Sequence, residues 1–577
     1  MFREKNTIKN QKIELALRES NTNYINEERI LGKTKPHDSQ RIKILAITGR
    51  LAADIVKQHI PKNVDLVVLP VNVAAFITNE LIKQNLGKEK AAKYDLILTP
   101  GLVQEDLAPL KKHYKIPVVK GPQYASDIKT VLKEIDPFSL STIKAADKFL
   151  KHQKIEESKN MLKKGFSEPL NKSKKEFSIG QITKFPVGVE RPPLVMAEIV
   201  DATNLTNDEI ISRANYYIKN KADILDIGAV ANKPNPSRVV EIINLLEPFK
   251  QKYPIAISID TLNVEEIKAA IQNNIDLVLS IDNGNIDSLI DNLTKEIGTV
   301  IVPTDVSKGY LPKESNERIN SLLKIRDKLR DTGLNKIIAD PIIEMPIFPG
   351  FAKSLNYYSE YRKADPVTPM MTCVGNVTEF IAADPIGINA LFGSLAVELG
   401  IQLLLVTDVS VKCRGGIKET VKARDLSYIA QQKSAPPKGH GIELLMAKSR
   451  TDNDLTITQI SDIENIDCPN PPDKLPYSLD YEPDPKGSFT IWIDYHKQRI
   501  FVIHLENKTN KPTLLFSGEK ARQIFEAIID RELVSKIGHA YYLGRELERA
   551  EICLYLGKTY IQNEQVFSDD SKFIFEK

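Results

Sequence analysis

Short runs of apolar residues, each followed by a stretch whose apolar positions recur every three or four residues, repeat along most of this chain. The first run, Ile42–Ile47, closes in Thr48-Gly49-Arg50 and leads an amphipathic stretch as far as Ile60. Val64–Pro70 and Tyr94–Pro100 repeat the pattern, and Pro117–Lys120 is a shorter copy. Apolar runs alternating with helical spacing mark strands buried on both faces of a parallel sheet and covered by helices. Residues 41–137 are therefore expected to form a three-layer α/β domain, flavodoxin- or Rossmann-like. Its strand ends carry neither G-x-G-x-x-G nor a P-loop, so it reads as an interaction module or as a ligand site of another kind.

Eight further apolar runs lie at 194–200, 224–230, 255–260, 277–281, 299–305, 336–340, 368–374 and 402–408. An amphipathic stretch follows each; in 237–249, Val239, Val240, Ile243, Leu246 and Phe249 share one face. Eight β-then-α units within 187–433 predict a (β/α)8 TIM barrel, with an open doubly wound sheet as the competing topology. Ahead of it, 138–186 is rich in Lys and Glu, and Ile143, Ala146 and Leu150 have the spacing of a helical connector. Behind it, 434–486 carries Pro436, Pro437, Pro471, Pro472, Pro476, Pro483 and Pro485 and reads as a Pro-rich linker. Alternation in Gly487–Asp494 and Arg499–Leu505 predicts a hairpin, and helical spacing near 519–530 and from Gly538 onward completes a small α+β domain over 487–577. Residues 1–40 are polar, without period, and read as a flexible lead.

Composition narrows the function classes. The 577 residues hold 79 Lys+Arg against 76 Asp+Glu, a net charge of +3, which leaves no surplus of cations for a nucleic-acid binder. The four cysteines, Cys373, Cys413, Cys468 and Cys553, are far apart and form no C-x-x-C pair, which fits a reducing cytoplasm rather than a disulfide scaffold or a zinc ribbon. No signal peptide, and no apolar run long enough to span a membrane, is visible, so a soluble cytoplasmic protein is expected. The oligomeric state stays open, a homodimer included.

Chemistry in a (β/α)8 barrel sits at the carboxyl ends of the strands. Those ends carry Asp201 and Thr203, Asp226, Asp260-Thr261, Asp282-Asn283, Thr304-Asp305, Asp340, Cys373 with Asn376, and Thr407-Asp408. One Asp at such a point can simply cap the next helix. Seven converging on one mouth would repel each other unless a ligand rich in N–H donors, or a divalent metal, sat among them.

The spelling of these ends, Ile199-Val200-Asp201-Ala202-Thr203, Leu225-Asp226-Ile227-Gly228, Ile257-Ser258-Ile259-Asp260-Thr261 and Asp340-Pro341 in that order, resembles the pterin-binding barrel family. That family holds dihydropteroate synthase and the corrinoid-dependent methyltetrahydrofolate methyltransferases. The resemblance implies a reduced pterin, as substrate or cofactor, bound through Asp260 and Asp340, since a carboxylate accepts a ring N–H and an exocyclic amine side by side. It implies that Ser280, with Asp282 and Asn283 beside it, stands where the family has a pterin-binding Asn, that Asp201 supplies an oxygen ligand suited to Mg²⁺, and that Asn376 faces the reacting end. Where the synthases neutralise pyrophosphate with an Arg and a His in strand eight, this chain has Leu405 and Thr407; after strand seven it has Cys373-Val374-Gly375-Asn376, with no cation. Lys233, Lys412 and Arg414 are left as candidate anion-binding cations. The implied function is a dihydropteroate synthase-like transferase in folate or tetrahydromethanopterin metabolism. The alternatives are a methyl-tetrahydropterin methyltransferase or a non-catalytic pterin-binding or assembly protein. The corrinoid-binding motif D-x-H-x-x-G is absent, so any corrinoid would arrive on another protein, which makes a corrinoid protein a candidate partner.

Overall fold

The computed structural model describes residues 42–146, 151–447, 466 and 484–567. The expected lead 1–40, Leu150, Cys468 and most of the Pro-rich linker lie outside the described residues. Two compact units emerge: one runs to residue 161 and includes 429–442, and the other comprises 162–428 with 443 onward.

In the first unit, β1 (Ile44–Thr48), β2 (Val64–Val68), β3 (Leu96–Thr99) and β4 (Val118–Lys120) form a parallel sheet in the order β2-β1-β3-β4. Alternate residues of each strand feed two separate cores. Ile44, Ala46, Leu96 and Leu98 pack under helices Ala53–His59 and Ile128–Glu134, and Leu45, Ile47, Ile97 and Val118 under the helices at 79–91 and 108–114. Leu140 and Ala146 belong to the first of these cores, so the folded domain runs past the expected boundary at 137.

The second unit opens with a short antiparallel hairpin, β5 (Phe177–Ile179) and β6 (Phe185–Val187), inside the stretch expected to be a helical connector. Eight parallel strands then close a barrel: β7 (Leu194–Ile199), β8 (Ile224–Gly228), β9 (Ala256–Asp260), β10 (Leu277–Ile281), β11 (Gly298–Ile301), β12 (Ile337–Ala339), β13 (Met370–Cys373) and β14 (Ile401–Val406). This is the (β/α)8 barrel the eight runs predict. Helix starts follow from local capping. Thr206 and Glu209 make a reciprocal capping box at Asn207–Lys219, Asn235 caps Pro236–Lys252, and Asn263 caps Val264–Gln272.

One parity of residues in each strand points into the barrel. Leu194, Met196, Ile224, Ala256, Leu277, Leu279, Val300, Ile338, Met371, Leu403 and Leu405 fill it, and Phe177, Ile179, Phe185 and Val187 of the hairpin plug its amino-terminal end. Asp276 secures that plug: it accepts the Gln181 N–H (2.8 Å) and the Ile257 N–H (2.9 Å) and pairs with buried Lys250 (3.2 Å). A plugged lower end leaves the carboxyl end as the open mouth.

The C-terminal part is the expected α+β domain with one more strand. β15 (Ser488–Asp494), β16 (Arg499–Leu505) and β17 (Pro512–Gly518) form an antiparallel sheet whose buried face packs on helices Ala521–Ile529 and Ile537–Leu556. Among the described residues, no helix is long and apolar enough to cross a membrane.

Candidate functional site

Strand alternation decides which strand-end acids reach the mouth. Above Leu194 and Met196, the next inward residue of β7 is Glu198; above Ile224 it is Asp226; above Ala256 come Ser258 and Asp260; above Ile338 comes Asp340; and above Met371 comes Cys373. Register makes them neighbours, because Glu198 pairs with Asp226, Asp226 with Ser258, and Gly228 with Asp260. Carboxylate oxygens of Glu198, Asp226 and Asp260 lie within 4.8 Å of one another, close enough to share a proton or hold a divalent cation. The D-I-G glycine makes this possible: a Cβ on Gly228 would stand 2.4 Å from Glu198 Oε1.

Burial and mutual repulsion keep protons on these groups. Glu198 is pushed up to about 8, first by burial and then by Asp260 and Asp201. Asp226, 0% exposed, is raised well above the usual carboxylate range by burial, Asp260 and Glu198. Ser258 Oγ donates to its Oδ1 at 2.5 Å, while Oδ2 has no hydrogen-bond partner among the described residues. Asp260 is raised to about 7 by burial and by Asp340. Asp340 rises to about 6 through burial, opposed by the Ile342 N–H and the Tyr358 hydroxyl, each donating at 2.8 Å, and by Arg318.

Arg318 is 1% exposed and braces the loop after β12: it donates to Pro312 O, Pro341 O and Ile342 O, pairs with Glu344 (2.6 Å) and stacks on Tyr357. Asn376, half-buried, donates its amide to Ile343 O of the same loop (2.9 Å). Its backbone N–H reaches the Cys373 thiol, which burial and the surrounding acids hold firmly protonated.

Other expected site residues are engaged elsewhere. Asp282 is fully buried and its carboxylate accepts from Gly284 N, Asn285 N, Thr304 Oγ1 and Val306 N, which leaves nothing for a ligand. Asn283 gives its amide to Thr304 O and Ser321 Oγ. Ser280 stands at the end of β10, its carbonyl accepting from Asn285. Asp305 pairs with Lys308, and Asp408 accepts from Gly415 N and Tyr216. Of seven strand-end acids, therefore, only Asp226, Asp260 and Asp340 face inward. Asp201, the residue expected to hold Mg²⁺, sits exposed in a left-handed turn (φ 53°) outside the three-carboxylate group.

Of the three candidate anion-binding cations, Lys412 and Arg414 are engaged, whereas Lys233 is exposed. Lys233 donates to Asn204 Oδ1 (3.2 Å), and Lys412 to the carbonyls of Thr378 and Ile381. Arg414 stacks on Tyr495 (3.7 Å) and donates to Gly557 O, tying the loop after β14 to the C-terminal domain. Leu405, standing where a synthase has Arg, is buried in the barrel interior, and Thr407 donates to Glu379.

Residues 199–356 match the family described as pterin binding enzyme, 483–563 the one described as PterinBD-DUF4346, and 42–123 a family of unknown function. An uncharacterized protein of Methanocaldococcus jannaschii is 34% identical over 91% of this chain and 99% of its own length. The chain belongs to one family with this archaeal protein, and its barrel carries a pterin binding enzyme domain. The dihydropteroate synthase of Staphylococcus epidermidis is 30% identical over 152 residues, 24% of this chain and 56% of that enzyme. A solved Burkholderia cenocepacia dihydropteroate synthase complexed with 7,8-dihydropteroate covers 45% of this chain and 97% of its own, at 20% identity and a TM-score of 0.35. Glu198 is the member of this barrel's acid group that strand-end reading missed. It lies a residue short of the end of β7, and its signal is parity, since 194, 196 and 198 share the inward face.

Proposed function

We propose that the barrel mouth binds a reduced pterin through Asp260 and Asp340 and transfers a group from it with Glu198 as proton donor, the chemistry of a methyl-tetrahydropterin methyltransferase. One observation carries this reading: at the floor of the mouth the carboxylate oxygens of Glu198, Asp226 and Asp260 lie within 4.8 Å of one another, and burial with neighbouring acids raises all three. When a methyl leaves N5 of a tetrahydropterin, the nitrogen must gain a proton, and a carboxyl with its pKa near 8 can supply one at neutral pH. Ionised Asp340 and Asp260 accept the pterin's N–H groups, and Asp226 sits beneath them as a shared proton store. Asn376 has its carbonyl oxygen left to orient the reacting end.

Expulsion of pyrophosphate needs positive charge at the leaving group; Lys412 and Arg414 are held on backbone carbonyls and an aromatic ring, which leaves exposed Lys233 as the remaining candidate of the three. The dihydropteroate synthase-like reading is therefore the weaker one on this geometry. Glu198, Asp226 and Asp260 have the hard oxygens a magnesium ion prefers; bound there, it would supply charge compensation in place of the protons. With protons filling that role, EDTA leaves pterin affinity unchanged.

The acceptor would be a corrinoid carried by another protein. The test supplies 5-methyl-tetrahydropterin with a free reduced corrinoid and follows the corrinoid spectrum, and separately supplies hydroxymethyl-dihydropterin pyrophosphate with an aryl amine and follows pyrophosphate. Methyl-corrinoid formation with no pyrophosphate release is expected; pyrophosphate release dependent on the amine would overturn the assignment in favour of synthase chemistry.

A further inference from the structure

The two edges of the C-terminal sheet are finished differently. Along β15, the side chain of Gln562 stands in for a neighbouring strand: its Oε1 accepts from Ile491 N and its Nε2 donates to Phe489 O, 2.9 Å each. β17 closes the order β15-β16-β17, and no strand lies beyond it among the described residues. Natural sheets guard such an edge with charge, a bulge or a cover, because its outward N–H and C=O groups invite another strand. Pro512–Gly518 contains no charged residue. Its register against β16 slips at Thr513, a bulge that guards one end and leaves Leu514–Gly518 regularly paired. Leu514 is 42% and Leu515 62% exposed. A groove of about 320 Å³ opens along the second half of the strand. It is lined from both faces of the sheet, by Arg499 and Ser517 on one and by Phe516 and Ile524 on the other, so it follows the free edge itself.

The residues of this edge complement themselves. Laid antiparallel against its own copy, with a two-fold axis through Leu515, the strand sets Leu515 on Leu515, Leu514 on Phe516 and Thr513 on Ser517. Lys511 then meets Glu519, and Pro512, which has no N–H to offer, falls opposite Gly518 at the end of the ladder. Apolar, hydroxyl and opposite-charge pairs of this kind stabilise an antiparallel ladder. Moving the axis one residue, to Phe516, puts Leu515 against Ser517 and Glu519 against Thr513, and both the apolar match and the ion pair are lost. Lys511 is exposed, and Glu519 meets Lys219 only at 3.7 Å with both side chains more than half exposed, a surface contact of little energy.

We propose that β17 is a homodimerisation edge: a second copy of this chain adds its own β17 antiparallel about Leu515, which joins the two three-stranded sheets into one of six. Side chains of each copy fill the groove along the other's edge. A ladder of this length buries less surface than a permanent dimer, so association is reversible, with a Kd on the order of 10 μM. The proposal does not rest on the pterin chemistry of the barrel.

The test follows the mass of the full chain by sedimentation equilibrium from about 1 to about 300 μM. A monomer–dimer equilibrium is expected, and amide exchange at Leu514–Ser517 slows as the chain concentration rises. Leu515→Lys sets two cations together on the axis and weakens the dimer by about tenfold or more. Lys511→Glu and Glu519→Lys each face like charges and weaken it about threefold, whereas the two together restore wild-type affinity, which an interface elsewhere on the molecule would not do. All three positions are exposed, so far-ultraviolet circular dichroism stays unchanged. A wild-type chain that stays monomeric throughout, leaving the edge to a different protein, a dimer indifferent to Leu515→Lys, or a double substitution no better than the single ones would each overturn the proposal.

Discussion

Glu198 places an ionisable group where water is scarce and three other acids crowd it, so its proton stays on to about pH 8 while Asp340 lets go near 6. The two values bracket neutrality and assign opposite roles, acceptor to Asp340 and donor to Glu198. Pterin binding should therefore strengthen as pH rises through about 6 to 7, where Asp340 and Asp260 ionise, and turnover should fall again above about 8. Glu198→Gln is expected to abolish the alkaline limb and lower turnover by ~10²-fold while leaving pterin affinity within about threefold, as read from rate–pH profiles. Gly228→Ala should mimic it in part by displacing Glu198 Oε1. Stability runs opposite to pterin binding. These carboxyls have raised folded-state values, so their contribution is fully present below the unfolded pKa and is lost as pH rises toward 8. Wild-type Tm is expected to drop by a few degrees between pH 5 and pH 8.5, and Asp226→Asn to flatten that drop in a thermal melt. Asp260 and Asp340, the carboxylates proposed to bind a pterin, were legible because they close their strands. Glu198 was not, since an acid one step inside an apolar strand reads as its solvent face until the barrel closes and turns that parity inward.

At the level of elements, the eight barrel strands were legible as apolar runs, whereas the plugging hairpin was not. Its strands are three residues each, one contains Pro186, and their apolar side chains only make sense beneath a barrel they do not belong to in sequence. Phe177 and Phe185 cover the lower end of the interior, so Phe177→Ala should destabilise the barrel by about 3 kcal/mol in urea melts, with little change in pterin affinity. The C-terminal helix Ile537–Leu556 begins at a buried carboxylate, Asp484, which accepts from Lys486 N, Ser535 N, Ser535 Oγ and Lys536 N and is held well below the usual carboxylate range by these bonds against burial. Asp484→Ala strands those donors and should cost about 2–3 kcal/mol in the same melts; in the native protein that contribution is lost only as pH falls into the acid range. In the loop after β14, Lys412 and Arg414 look free in sequence, but the carbonyls and the Tyr495 ring they engage come from distant segments. Lys412→Ala is expected to change stability and not anion binding.

Over the whole molecule, a net charge of +3 hides a local imbalance: the carboxylates of Glu198, Asp226 and Asp260 crowd the barrel mouth. Sequence reading placed the barrel, its flanking α/β and α+β folds and their order, since each rests on local periodicity. It could not rank the strand-end acids, because whether Asp282 serves a ligand or its own loop depends on donors from Gly284, Asn285, Thr304 and Val306 that only the fold assembles. The central claim is that this acid-lined mouth binds a reduced pterin through carboxylates. Calorimetric titration of the full chain with a tetrahydropterin at pH 7.5 tests it most directly, repeated with Asp260→Asn and Asp340→Asn, at about a pH unit or less above the Asp260 value. The account predicts one pterin per chain in the wild type and a loss of roughly a hundredfold in affinity for each variant, as expected for a paired charge-assisted contact. A wild type that takes up no pterin at millimolar concentration, or variants that bind as well as it does, would contradict it.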